Sequence, residues 1–144
     1  MRRVLEIEVA GFGADAWDRN LFAEYARQCG ELFLVAERGR KVCGYSIVCI
    51  CGSTSNCGST ARRRAELESV AVDPAVRGKG AAAALMDSTL RRLRRRGIAR
   101  LTLMVKVTNE RARGFYEKYR FKKVKRVPRY YEDGTDGFLL ARDV

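Results

Sequence analysis

The sequence contains no histidine, two prolines and a single tryptophan in 144 residues. Without an imidazole, every mechanism that needs a histidine base, nucleophile or ligand is excluded. No apolar run approaches the roughly 20 residues of a membrane-spanning helix. The opening MRRVLEIEVAG turns acidic at once and lacks the apolar core of a signal peptide. A cytoplasmic location with no membrane partner is therefore the default expectation. The five cysteines (Cys29, Cys43, Cys49, Cys51 and Cys57) are odd in number and form no C-x-x-C pair. With no histidine beside them a zinc centre is not expected, nor any other metal, and the thiols are read as free.

What is present points to one globular domain. Apolar residues make up 47% of the chain and charged ones 32%, and the length suffices for a sizeable core. A net charge of +12 calls for an anionic partner or substrate. The run RRLRRRG at 91–97 first suggests nucleic acid. The preferred reading is structural: those arginines close a helix against the negative end of its dipole, and Gly97 stops it. Nucleic acid is thus the less favoured partner.

The chain opens with a strand signal at Val4–Val9, followed by a helical stretch from about Asp15 to Cys29. LFLVAE (32–37) and VCGYSIVCI (42–50) form a hairpin about Arg38–Lys41. CGSTSNCGST (51–60) is a polar loop and the segment expected to be most mobile. The strand LESVAV (67–72) leads into a helix whose Leu85, Met86, Thr89, Leu90 and Leu93 share a face. LTLMVKV (101–107) is a strand and NERARGFYEKY (109–119) a helix. VKRVPRYY and GFLLARD end the chain as a strand pair. The order β-α-β-β-β-α-β-α-β-β implies a mixed sheet with helices on its faces.

Between strand and helix lies DPAVRGKGAAAALM (73–86), a glycine-rich turn that suits an anion. A Walker A loop fails because Gly80 follows Gly78-Lys79 where Ser or Thr is required. A dinucleotide fingerprint fails because no carboxylate lies between Asp87 and Glu110 to hold a ribose. The third pattern, [QR]-x-x-G-x-[GA], is met by Arg77-Gly78-Lys79-Gly80-Ala81-Ala82. Three segments in order, LESVAVDPAVRGKGAAAALM, VTNERARGFYEKYRF and RYYEDGTDGFLLARDV, resemble the GNAT acetyltransferase superfamily. The likeness is to its branch of ribosomal-protein alanine and protein N-terminal acetyltransferases, and it covers nearly the whole chain.

That resemblance implies an α/β GNAT fold, a central mixed and mostly antiparallel sheet flanked by helices, and acetyl-CoA as cosubstrate without a metal. The backbone of Val70, Ala71 and Val72 would pair with the pantetheine arm. Arg77, Gly78, Lys79, Gly80, Ala81, Ala82 and Ala83 would bind its pyrophosphate, glycines allowing close backbone approach. Asn109 would contact the cofactor, cap a helix, or both. Tyr116 would touch the cofactor and protonate the leaving thiolate, or else be a core aromatic. Tyr130 and Tyr131 would line the acceptor site. The implied reaction is direct attack, in a ternary complex, by the N-terminal α-amine of a protein or peptide. A small-molecule amine acceptor, and an inert basic nucleic-acid-associated module, are the alternatives; monomer and homodimer both stay open.

Two positions depart from the family pattern. Methionine stands at 104, where the branch carries a glutamate base, and Arg120 replaces a glycine before Phe121. The base must then be a carboxylate elsewhere or solvent. Glu66, six residues before Val72 as in histone acetyltransferases, is the first candidate and Glu68 the second, both on one face of their strand.

Overall fold

The computed structural model describes residues 1–51 and 63–144. Two helices, α1 (Arg2–Phe12) and α2 (Arg19–Cys29), precede the hairpin β1 (Phe33–Arg38) and β2 (Lys41–Ile50). Then follow β3 (Arg64–Val72), α3 (Ala81–Arg95), β4 (Arg100–Lys106), α4 (Glu110–Lys118), β5 (Lys122–Val127) and β6 (Gly137–Asp143). The strands form one sheet in the order β1-β2-β3-β4-β6-β5, with β3–β4 its parallel pair. The expected mixed, mostly antiparallel sheet is therefore present.

The apolar residues divide over the two faces. Tyr45, Ile47 and Cys49 of β2 pack with Val4 and Ile7 of α1 and Phe22 of α2. Val48 faces the other side, with Leu67, Leu101, Leu103, and Met86, Leu90 and Leu93 of α3. A strand covered on both faces needs no polar alternation, which is why VCGYSIVCI is mostly apolar, with Ser46 its buried exception. The five residues expected on one face of α3 are all buried.

The strand expected at Val4–Val9 is instead part of α1. Val4, Ile7 and Glu8 are the buried residues, a 3.6-residue rhythm that the apolar positions 5, 7 and 9 disguised as alternation. Glu6 pairs with Arg2 at 3.1 Å and Arg3 at 2.8 Å, contacts that only helical spacing brings together. The last hairpin also shifts. β5 stops at Val127 because Pro128 cannot donate to a ladder, leaving Tyr130 and Tyr131 in the connection to β6. Arg120 adopts the left-handed conformation (φ 65°) in the place of the expected glycine, at a cost of about 1 kcal/mol.

The free-thiol expectation is corrected as well. Cys29 at the end of α2 and Cys49 of β2 form a disulfide with a Cα–Cα distance of 5.1 Å, inside the span a bridge can cover. Their 20-residue separation carries no local signal. Cys51 is also disulfide-bonded; among the described residues, Cys43 is a free, buried thiol. The polar loop at 52–60, with Cys57, lies outside the described residues. No helix among them is long and apolar enough to cross a membrane.

Candidate active site

The β3–β4 ladder ends at Leu67 opposite Leu103, although β3 runs on to Val72 and β4 to Lys106. Beyond that pair the strands part. From Glu68 onward the β4-facing edge of β3 has no strand partner, while its other edge stays paired with β2 up to Gly44 opposite Val72. An exposed strand edge is a row of free amide donors and acceptors. Here it forms one wall of a groove of about 1690 Å³.

One end of that groove is the glycine turn. Gly78 and Gly80 have φ of 80° and 88°, and a Cβ at either would meet no atom within 4 Å. Glycine is required there by backbone conformation rather than crowding. Gly80 caps α3, and Ala84 N–H donates to its carbonyl at 2.9 Å. The preceding amides of Ala81, Ala82 and Ala83 are the unpaired first-turn donors of the helix, directed at the groove with the positive end of its dipole. Arg77 lines the same end, and Lys79 is exposed beside it. These donors fit a pyrophosphate.

Val70, Ala71, Val72, Asn109, Tyr116, Tyr130 and Tyr131 also line the groove. Asn109 Oδ1 caps α4 by accepting from Ala112 N–H at 3.2 Å, so the capping role is real and its amide nitrogen remains available. Tyr116 is buried between Phe115 and Phe121, with ring centroids at 5.6 and 5.5 Å. Burial, reinforced by nearby Tyr131, pushes its phenol further up. It therefore stays protonated through the neutral range. Met104 lines the groove too, and Gly137 across the β4–β6 ladder makes room for it: a Cβ there would lie 2.7 Å from Met104 Cε.

The carboxylates are arranged by a bulge. Ile47 pairs with Ser69 and Val48 with Leu67, which leaves Glu68 as an extra residue in β3. Alternation is broken there, so the shared face of Glu66 and Glu68 does not extend to Val70 and Val72. Glu68 lines the groove; Glu66, opposite Cys49 and Thr102, is half-buried and does not. Burial and then the charge of Glu66 push the Glu68 carboxyl up to about 7. Burial also raises Glu66, with Arg64 opposing.

Several groove residues escaped the sequence reading. Glu8 of α1 is 1% exposed and hydrogen-bonds Tyr45 Oη. Its Oε1 accepts from Trp17 N–H at 3.0 Å, and Tyr45 Oη lies 3.0 Å from Ser69 Oγ. Burial pushes Glu8 up to about 7, against the Trp17 and Ser69 hydrogen bonds. A carboxylate on the apolar stripe of a helix was the available signal, hidden by the strand reading. Lys106 donates to Asp15 at 2.7 Å and Asp133 at 2.9 Å, joining the α1–α2 and β5–β6 connections. Tyr130 and Tyr131 stand beside that tie, edge to face at 5.0 Å.

Residues 2–121 match the sequence model of the acetyltransferase (GNAT) family. An N-alpha-acetyltransferase of Saccharolobus solfataricus is 35% identical over 124 residues, which span 84% of this chain and 74% of the relative. The crystal structure of Ard1 from Thermoplasma volcanium superposes with a TM-score of 0.89 at 26% identity, over 99% of this chain and 90% of that one. The ribosomal-protein-S18-alanine N-acetyltransferase of Escherichia coli superposes at 0.78 with 26% identity, over 97% and 84%.

Proposed function

This chain belongs to the acetyltransferase (GNAT) family, and we propose that it transfers acetyl from acetyl-CoA to the N-terminal α-amino group of a protein or peptide. The observation that carries the reading is the free edge of β3. It runs from the pyrophosphate-shaped turn at Gly78–Ala83 along a groove that Glu68 and Tyr116 both line. The S. solfataricus relative, named for α-amine acetylation, supports this acceptor class.

Bound acetyl-CoA supplies the acyl thioester and a thiolate leaving group. The backbone of Val70, Ala71 and Val72 orients the pantetheine arm by strand-like pairing. Arg77, Gly78, Lys79, Gly80 and the amides of Ala81–Ala83 hold the phosphates, and Asn109 contributes its side-chain amide. The base is assigned to the Glu66–Glu68 pair, with Glu68 the member that faces the groove. A carboxyl titrating near 7 can take a proton from an α-ammonium, whose ordinary pKa is about 8. Tyr116, which also lines the groove, would return a proton to the departing sulfur. Tyr130 and Tyr131 line the acceptor's path, between connections tied by Lys106.

Mass spectrometry tests the reading directly. The protein is incubated with acetyl-CoA and three acceptors: peptides with free N-termini, N-blocked peptides carrying one lysine, and a polyamine. Acetylation at the free α-amine is expected to dominate. Modification confined to lysine or polyamine would overturn the assignment.

A further inference from the structure

Closing α3 explains the arginines at 91–96 but not those the fold adds to them. Arg100 begins β4 between Arg64 of β3 and Asp143 of β6. The Arg63 carbonyl accepts the amides of Ala99 and Arg100 at 2.7 and 3.3 Å. Arg120 follows the end of α4, and Arg142 of β6 donates to the Tyr119 carbonyl at 2.8 Å. Burial and the like charges of Arg94 and Arg120 lower the pKa of Arg142, a measure of how tightly the three are gathered. Five chain segments thus deliver cations to one end of the sheet.

Little neutralises them. Arg96 pairs with Glu31, but among the described residues Arg63, Arg94, Arg95, Arg100, Arg120 and Arg142 are in no ion pair. Among the described residues, Glu117, Asp143 and Glu66, whose charge faces that of Arg64, are the other carboxylates beside them. Arg64 Nε is buried there without a hydrogen-bond partner. Of the exposed large apolar residues, Met1, Val9, Phe12, Val35 and Tyr130 belong to other segments, and Val124 lies in β5, four residues after Arg120. Among the described residues, Val124 is thus the one large exposed apolar side chain near this end, a small anchor for a membrane or protein partner.

We propose that this arginine-rich end of the sheet binds the phosphate backbone of nucleic acid while the groove works on its own ligands. Guanidinium forks match phosphate oxygens in pairs, and a dense, unneutralised cluster gains further by releasing condensed counterions. The 15 residues of α3 set Arg94 and Arg95 about 22 Å from the cofactor turn. Occupancy of one therefore does not exclude the other.

Fluorescence anisotropy with labelled single-stranded RNA and duplex DNA, across a salt series, tests this. Arg94→Gln/Arg95→Gln/Arg120→Gly removes three charges and relieves the positive φ at 120. Arg38→Gln/Arg40→Gly/Lys41→Gln removes three at the β1–β2 turn, the opposite end of the sheet. The first triple should weaken binding about tenfold or more and flatten the slope of log K against log salt by about 2. Its acetylation of a short peptide should stay unchanged. The second triple should bind like wild type, and saturating coenzyme A should displace nothing. Equal losses in both triples, displacement by coenzyme A, or equally tight binding to anionic vesicles or polyglutamate would each overturn the proposal.

Discussion

Lys106 Nζ lies 2.9 Å from Asp133 Oδ2, tying the end of β4, where Lys106 lines the groove, to the β5–β6 connection. The same ammonium reaches Asp15. Hydrogen bonds from Thr135 first, then Lys106, hold the Asp133 carboxyl well below the usual range. The tie is thus complete above pH 4 and lost as pH falls through the depressed value. Lys106→Met should free both connections, raising KM for a peptide severalfold while kcat changes little. Steady-state kinetics at fixed, saturating acetyl-CoA reads this split; a fall confined to kcat would be against it.

Glu8 makes the opposite prediction for pH. Its folded value of about 7 lies above the ordinary 4.5, so its contribution is fully present in acid and is lost as pH rises through 7. The loss is roughly 3 kcal/mol at most. Glu8→Gln mimics the protonated carboxyl: its Oε1 can still accept from Trp17 N–H, and its Nε2 can donate to Tyr45 Oη, which then turns its own hydrogen to Ser69 Oγ. Denaturant midpoints of the wild type should fall between pH 5 and 8, and those of Glu8→Gln should fall less. Parallel curves would show that Glu8 does not titrate in this window.

The contrast between Glu8 and Glu68 shows what the sequence could carry. The turn at Gly78–Ala83, the α3 face and the β6 strand were legible because glycine chemistry and 3.6- or 2-residue periods are local. The α1 register was not, since six residues that fit both periods are settled by Tyr45 and Ile47 packing beneath them. The bulge at Glu68 depends on how β2 pairs with β3, which no run within β3 reports. The Cys29–Cys49 bridge and the Lys106 tie join positions distant in sequence. Each of them exists only once the sheet has formed.

Tyr116→Phe removes one oxygen from a buried ring and leaves the packing against Phe115 and Phe121 intact. If Tyr116 protonates the leaving thiolate, kcat should drop by a factor within roughly 10² to 10⁴. Stabilisation by acetyl-CoA should persist, near 2.7 kcal/mol at a hundredfold excess over Kd. Gly80→Asp should do the converse, setting a carboxylate against the phosphates and abolishing the thermal shift. An unchanged kcat in Tyr116→Phe, with chemistry shown to be rate-limiting, would return the residue to the core.

The two strand glutamates can be told apart by the direction in which a pH profile moves. As a base Glu68 must be ionised, so kcat/KM should rise through its value near 7 and level off above it. Glu68→Gln should lower the rate most below pH 8, with the penalty fading as the α-amine, near 8, deprotonates unaided. Glu66 raises its neighbour by like charge. Glu66→Gln should therefore lower the Glu68 value and carry the acid limb to lower pH while keeping the plateau. If Glu66 were itself the proton acceptor, its variant would lose the rate and Glu68→Gln would only move the limb. Two variant profiles that both overlay the wild type would leave solvent as the acceptor and remove this pair from the mechanism.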